Sequence, residues 1–253
     1  MKRWTTSVVL GLVLLVAGAS HAQTPADAAL LQQILEAQDT SGRGASSVGT
    51  MVMRIRTSNW ERALTLKVWS EGTTKTLVVI EAPAKEKGTA TLKVDQNIWN
   101  YLPKVDRTVK IPGSMMSSSW MGSHLSNDDL VRESRFAEHF RCTFAEKPAG
   151  AQGRYVIDCI PKPNAPVVWG KVRIRARAED KLAEEITYYD EKNALARTVA
   201  FSDFAVVAGR KMARVMRTRP ADKPDEFTEL QFVQMAFDVK HSEQTFTLQA
   251  LKR

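Results

Sequence analysis

The spacing of its strand-like segments constrains this chain more than any other feature. Residues 49–57 (GTMVMRIRT), 63–69 (ALTLKVW) and 74–81 (TKTLVVIE) follow one another closely, and 89–94, 97–102 and 107–111 continue the series. The rhythm resumes in a hairpin-like pair carrying Cys142 and Cys159. It then continues at 167–176, 184–190, 196–204, 212–219 and 227–239. Gly72, Pro83, Gly88 and Pro103 are among the residues that punctuate the gaps. These gaps are too short for helical crossovers, which leaves antiparallel meanders. Ten or more such strands rarely stay flat and open, so the expected fold is mainly β, a strongly curved sheet or partly closed barrel.

Two helices are predicted beside the strands. Thr24 can cap the first, Pro25 suits its first position, and Leu30, Leu31, Ile34 and Leu35 recur at helical spacing until Gly42. The second is predicted to start at Ser126, with Asp128 and Asp129 favouring its positive end. Both could plug the curved sheet. No linker, low-complexity tract or repeat divides the chain, so residues 23–253 are expected to form a single domain.

The N-terminus reads as a secretory signal peptide over residues 1–22. Lys2 and Arg3 precede an apolar run from Val8 to Gly18, and Ser20-His21-Ala22 places small residues where a signal peptidase reads. The run is shorter than the roughly 20 residues a membrane span needs. No Cys follows it, so no lipid anchor is expected, and the mature protein is placed in a bacterial periplasm. The chain carries a formal charge of +8, and removing Lys2 and Arg3 leaves +6. That excess favours anionic lipid headgroups or an acidic protein face, and nucleic acid is not expected as a partner in that compartment. Cys142 and Cys159 would lie opposite each other in a hairpin turning near residues 148–151. Cross-strand spacing and an oxidising compartment both permit a disulfide there.

Catalytic motifs are missing. His124, His139 and His241 are far apart without metal spacing, and there is no HExxH, GxSxG or phosphate-binding glycine loop. A non-enzymatic protein without metal or cofactor is expected. Two other patterns stand out. The loop PGSMMSSSWMGSHLS places Met115, Met116, Trp120 and Met121 among serines and glycines. Methionine adapts to a variable apolar partner, so these four are candidates for a lid or cargo contact, with packing of Trp120 on the core as the structural alternative. Lys171, Arg173, Arg175 and Arg177 alternate with Val172, Ile174 and Ala176, which puts four cations on one strand face. They are candidates for a basic docking face, or form a solvated outer surface that discourages edge pairing.

The signal peptide, the helix, the strand series and above all WNYLPKVDRTVKIPGSMMSSSWMGSHLSNDDL, with the terminal FTLQALKR, resemble the periplasmic outer-membrane lipoprotein-sorting family. The resemblance covers essentially the whole mature chain, and this branch is similar in plan to the carrier LolA but distinct from it. One departure is His124, where a carboxylate is expected in SxMGSD. The resemblance implies an unclosed antiparallel β-barrel, with a few helices over an apolar concave face that holds acyl chains. It implies a carrier or chaperone for lipoprotein or lipid cargo, working between inner-membrane export machinery, such as a transporter, and the outer membrane or its acceptor. Leu64, Leu66 and Val68 alternate on one strand face and are candidates for the cavity lining. The same fold could instead serve as a non-enzymatic periplasmic adaptor or sensor docked to a membrane transporter.

Overall fold

The computed structural model describes residues 24–252 apart from 128, 130–135 and 166. The signal-peptide reading and the body of the helix predicted after Ser126 lie outside the described residues. Helix α1, Pro25–Thr40, is capped as its sequence predicts, with the backbone N–H of Asp27 donating to Thr24 Oγ1 at 3.1 Å. Strands β1 (Ser46–Arg56), β2 (Glu61–Glu71), β3 (Lys75–Ala82), β4 (Ala90–Val94), β5 (Asn97–Leu102) and β6 (Arg107–Lys110) form a first meander. The short helix α2, Phe136–His139, leads into β7 (Phe140–Glu146), β8 (Arg154–Pro161), β9 (Lys171–Arg177) and β10 (Ala183–Tyr189). The second meander ends with β11 (Leu195–Val207), β12 (Arg210–Pro220) and β13 (Phe227–Phe237).

All thirteen strands join one antiparallel sheet in the order β6-β5-β4-β3-β2-β1-β13-β12-β11-β10-β9-β8-β7. Every neighbour in that order is also a neighbour in sequence, except β1 and β13, which close the two meanders onto each other. The edges, β6 and β7, do not pair, so the barrel is unclosed. Its curvature follows from which residues meet. Val78 on β3 and Ile186 on β10 are six strand spacings apart, roughly 29 Å on a flat sheet, yet both line one cavity.

Period-two alternation divides each strand between two environments. On the concave face of the first meander, Met53, Ile55, Leu64, Leu66, Val78 and Ile80 pack with Trp120 and Leu125. On the second, Ile157, Val172, Ile174, Ile186 and Val199 pack against Leu31, Ile34 and Leu35 of α1. Gln38 fixes that helix end: its amide donates to the Lys181 carbonyl, and its oxygen accepts from the N–H of Ala183, both at 2.8 Å. The convex face of the first meander is covered too. Leu77, Ala90 and Leu92 pack under Ala250 and Leu251 of the C-terminal 3-10 turn, Leu248–Lys252.

Cys142 faces Cys159 across the β7–β8 pair, and the two form a disulfide. The strand predicted from residue 167 begins only at Lys171, because Val167 and Trp169 leave the sheet to line the cavity.

Candidate functional site

A cavity of about 290 Å³ lies between the concave face, α1 and the loop after β6. Its wall is mostly apolar, with Leu66 and Val68 from β2, Phe201 from β11, Met212 and Met216 from β12 and Phe232 from β13. Of the residues predicted to line it, Leu66 and Val68 do so. Leu64 points to the same side but is fully buried beneath Trp120. Trp169 stands in the wall against Tyr188, with ring centroids 5.1 Å apart.

The loop from Pro112 to Asn127 forms the cover, and its parts differ in role. Trp120 is 3% exposed, seated in the first-meander core, and its indole N–H donates to Thr91 Oγ1 at 3.1 Å. Met121 packs beside it, in a turn where Met121 and Gly122 both take positive φ, and the Met121 carbonyl accepts from Arg62. Gly supplies that left-handed backbone without strain, and Met121 is held there by the Arg62 bond. Met115 is 46% exposed and Met116 half-buried, and neither reaches the cavity wall. The four apolar residues therefore split into two anchors and two outward-facing methionines.

Polar contacts tie this cover to the sheet. The backbone N–H of His124 donates to Thr228 Oγ1 at 2.9 Å, and its ring nitrogens lie 3.0 Å from Thr228 Oγ1 and from Glu226 Oε2. The His124 bond, joined by one from the N–H of Ser58, holds the Glu226 carboxyl below its ordinary 4.5. His124 thus occupies the place of the expected carboxylate by engaging a carboxylate on β13's approach. Further along, Ser126 and Asp129 bond reciprocally, and Asp129 takes two hydrogen bonds from Arg197 on β11, at 2.7 and 2.6 Å. Burial pushes the Asp129 carboxyl up, but the bonds from Arg197 and Ser126 outweigh it and hold it below 3.8. Burial also opposes the Arg197 charge, and Asp129 outweighs it, so the guanidinium stays firmly protonated. Its plane packs on Tyr188 and Trp169, at 4.4 and 4.8 Å from the ring centroids.

The β9 cations alternate outward as predicted, but acidic neighbours meet them. Arg173 forms two bonds to Asp158, at 2.6 and 2.7 Å, and Arg177 pairs with Asp180 and Glu179. Arg175 lies 3.8 Å from Glu185, and Lys171 sits over the Tyr189 ring. A separate cleft on the convex face gathers Arg54, Arg56, Arg217 and Arg219 with Glu61, Asp225 and Glu229; Arg56 pairs with Glu61 and Arg217 with Glu229, and both guanidinium groups lie over Phe227. Among the described residues, no group of three or more His, Cys, Asp or Glu is placed to hold a metal ion.

A family model described as an uncharacterized protein matches residues 72–253. The chain belongs to this family. Three solved structures share its fold. A DUF1329 family protein from Desulfovibrio piger is 24% identical with a TM-score of 0.77, over 87% of this chain and 96% of its own. A domain whose proposed role is outer membrane lipoprotein sorting, from Vibrio parahaemolyticus, is 23% identical with a TM-score of 0.73, over 88% and 97%. A LolA superfamily protein from Nitrosomonas europaea is 20% identical with a TM-score of 0.70, over 87% and 98%. No curated protein matches the chain. The chain thus has a LolA-like fold.

Proposed function

We propose that the protein is a periplasmic, non-enzymatic carrier that shields a lipid or lipidated cargo and hands it between inner-membrane export machinery and the outer membrane. The observation that carries this reading is the covered apolar cavity. Each methylene exposed to water costs about 0.8 kcal/mol, so a sixteen-carbon chain costs on the order of 12 kcal/mol. A carrier must offset most of that and still release, which favours a lining that adapts over a rigid slot. Met51, Met212, Met216 and Met235 supply such a lining. The cavity is at the small end of ligand sites, roughly 300–1,000 Å³, so loading widens it by moving the cover. Trp120 anchors the cover, while Met115 and Met116 present apolar surface to arriving cargo. The test is native mass spectrometry of the mature protein purified from periplasm without detergent. A bound mass that separates on denaturation and fragments as a lipid or lipopeptide supports the carrier, and the Met115→Ser/Met116→Ser variant should then retain less of it. A bare mass counts against it.

Arg54 and Arg219, the arginines of the convex cleft outside its Arg56–Glu61 and Arg217–Glu229 pairs, favour a second reading, an adaptor docked to a membrane transporter through an acidic segment. In-cell crosslinking from a photo-reactive residue placed at Arg219, which has no ion-pair partner among the described residues, would then trap a membrane protein while the purified chain stays free of lipid.

A further inference from the structure

We infer that the cavity selects an acyl lipid with an anionic head, carboxylate or phosphate, and that this head takes the place of Asp129 on Arg197. The inference rests on the carrier reading and names its cargo class. It comes from the charges inside an otherwise apolar wall. Among the described residues, Arg43, Lys93 and Arg197 line the cavity, and Asp129 is the carboxylate in its wall, with the His139 imidazole alongside. Lys93 is 3% exposed and bonds the Thr73 carbonyl. A neutral cargo gives no reason to keep cations inside a lipid cavity, since burying charge is costly.

Arg197 is the one built to receive an anion. Tyr188 and Trp169 hold its plane, which pre-organises the fork that binds carboxylates and phosphates in pairs of hydrogen bonds. Its Nε–H is buried without an acceptor among the described residues, so an incoming oxygen gains a donor that Asp129 leaves unused. Asp129 lies just beyond the cover's last residue, Asn127, and is tied to it through two hydrogen bonds from Ser126. Exchange of one anion for another on Arg197 keeps the guanidinium paired and frees the cover in the same step. A lipid with a neutral head cannot make this exchange. It would leave Asp129 and Arg197 locked together, with the cover in place.

The experiment uses the mature protein and the fluorescent fatty acid cis-parinaric acid, displaced by palmitate and by methyl palmitate, which share a chain and differ in head charge. Palmitate should displace the probe at a concentration roughly tenfold lower or more, the scale of a charge-assisted hydrogen bond. The preference should disappear in Asp129→Asn/Arg197→Gln, which removes both charges and leaves polar amides in their place. Amide exchange of Ser118–Asn127 should quicken with palmitate and not with the ester. Equal displacement by both lipids overturns the inference while leaving the carrier in place. No probe binding at all overturns the carrier reading as well. If the double variant does not fold, the two lipids on the natural chain still decide.

Discussion

Trp120 carries two loads, filling the first-meander core and fixing the cover to Thr91. Trp120→Ala should destabilise the protein by about 3–5 kcal/mol, the range for removing a large buried aromatic. Trp120→Phe keeps most of the packing and loses the bond to Thr91, costing about 1 kcal/mol. Urea unfolding followed by far-UV circular dichroism separates the two; equal losses would mean that packing counts for little here. The carboxyls set a pH limit. Asp27, Asp106, Asp129, Asp158, Asp238 and Glu226 all lie below their ordinary values of 3.8 and 4.5 when folded. They therefore bind protons more weakly in the folded chain than in the unfolded one. Their stabilisation is complete above the ordinary range and is lost as pH falls through the lower folded values. The urea midpoint should hold steady above about pH 5 and drop steeply below pH 4, with proton uptake on unfolding; a midpoint that rises on acidification would contradict this. At this scale the sequence was only partly legible. Trp120 stands out in a polar loop, but Thr91, Glu226, Thr228 and Arg197 do not. Each lies tens of residues from the group it meets, and no local pattern pairs polar side chains across such distances.

Among the elements, strands were the most legible, because alternation is local and thirteen segments carry it. Partners of alternating charges were not, since the acids that meet Arg173 and Arg175 stand on neighbouring strands. The irregularity in β1 was also hidden. Its pairing with β13 shifts between Thr50 and Met51, and Gly49 precedes the shift. A Cβ at Gly49 would collide with Met235 Sδ and lie 2.6 Å from the Gln234 carbonyl oxygen. The methionine can give way but the backbone cannot, so Gly49→Ala should cost about 1–3 kcal/mol by overpacking. A thermal shift within error of the natural chain would mean that the strands part easily at this point. The β7–β8 hairpin was legible through its cysteines. Their separation of 17 residues gives about 3 kcal/mol in the chain-entropy model. Cys142→Ser/Cys159→Ser should lower Tm by roughly 6–12 °C for a chain this long. Scanning calorimetry with and without reductant checks it: the natural chain should fall to the variant's Tm only when reduced.

At the scale of the whole molecule, the curved antiparallel sheet was legible because short gaps forbid other connections. The pairing of the first strand with the last was not, since it depends on curvature that no single segment encodes. This plan leaves two meanders meeting at one long-range pair, with their outer edges, β6 and β7, unpaired with each other. The chain crosses from one edge to the other only through the segment after β6 that forms the cover. The disulfide lies wholly within the second meander and ties nothing across that crossing. The cover is therefore also the sole covalent strap between two halves of the protein. A protease that cuts once near the exposed Met115 should produce two fragments that still run as one species in native gel filtration, held by β1 and β13. The same sample should separate on a denaturing gel without reductant. Cleavage there would turn a continuous polypeptide into a non-covalent heterodimer with the same sheet, whose stability depends on concentration, and its two halves could be exchanged between molecules.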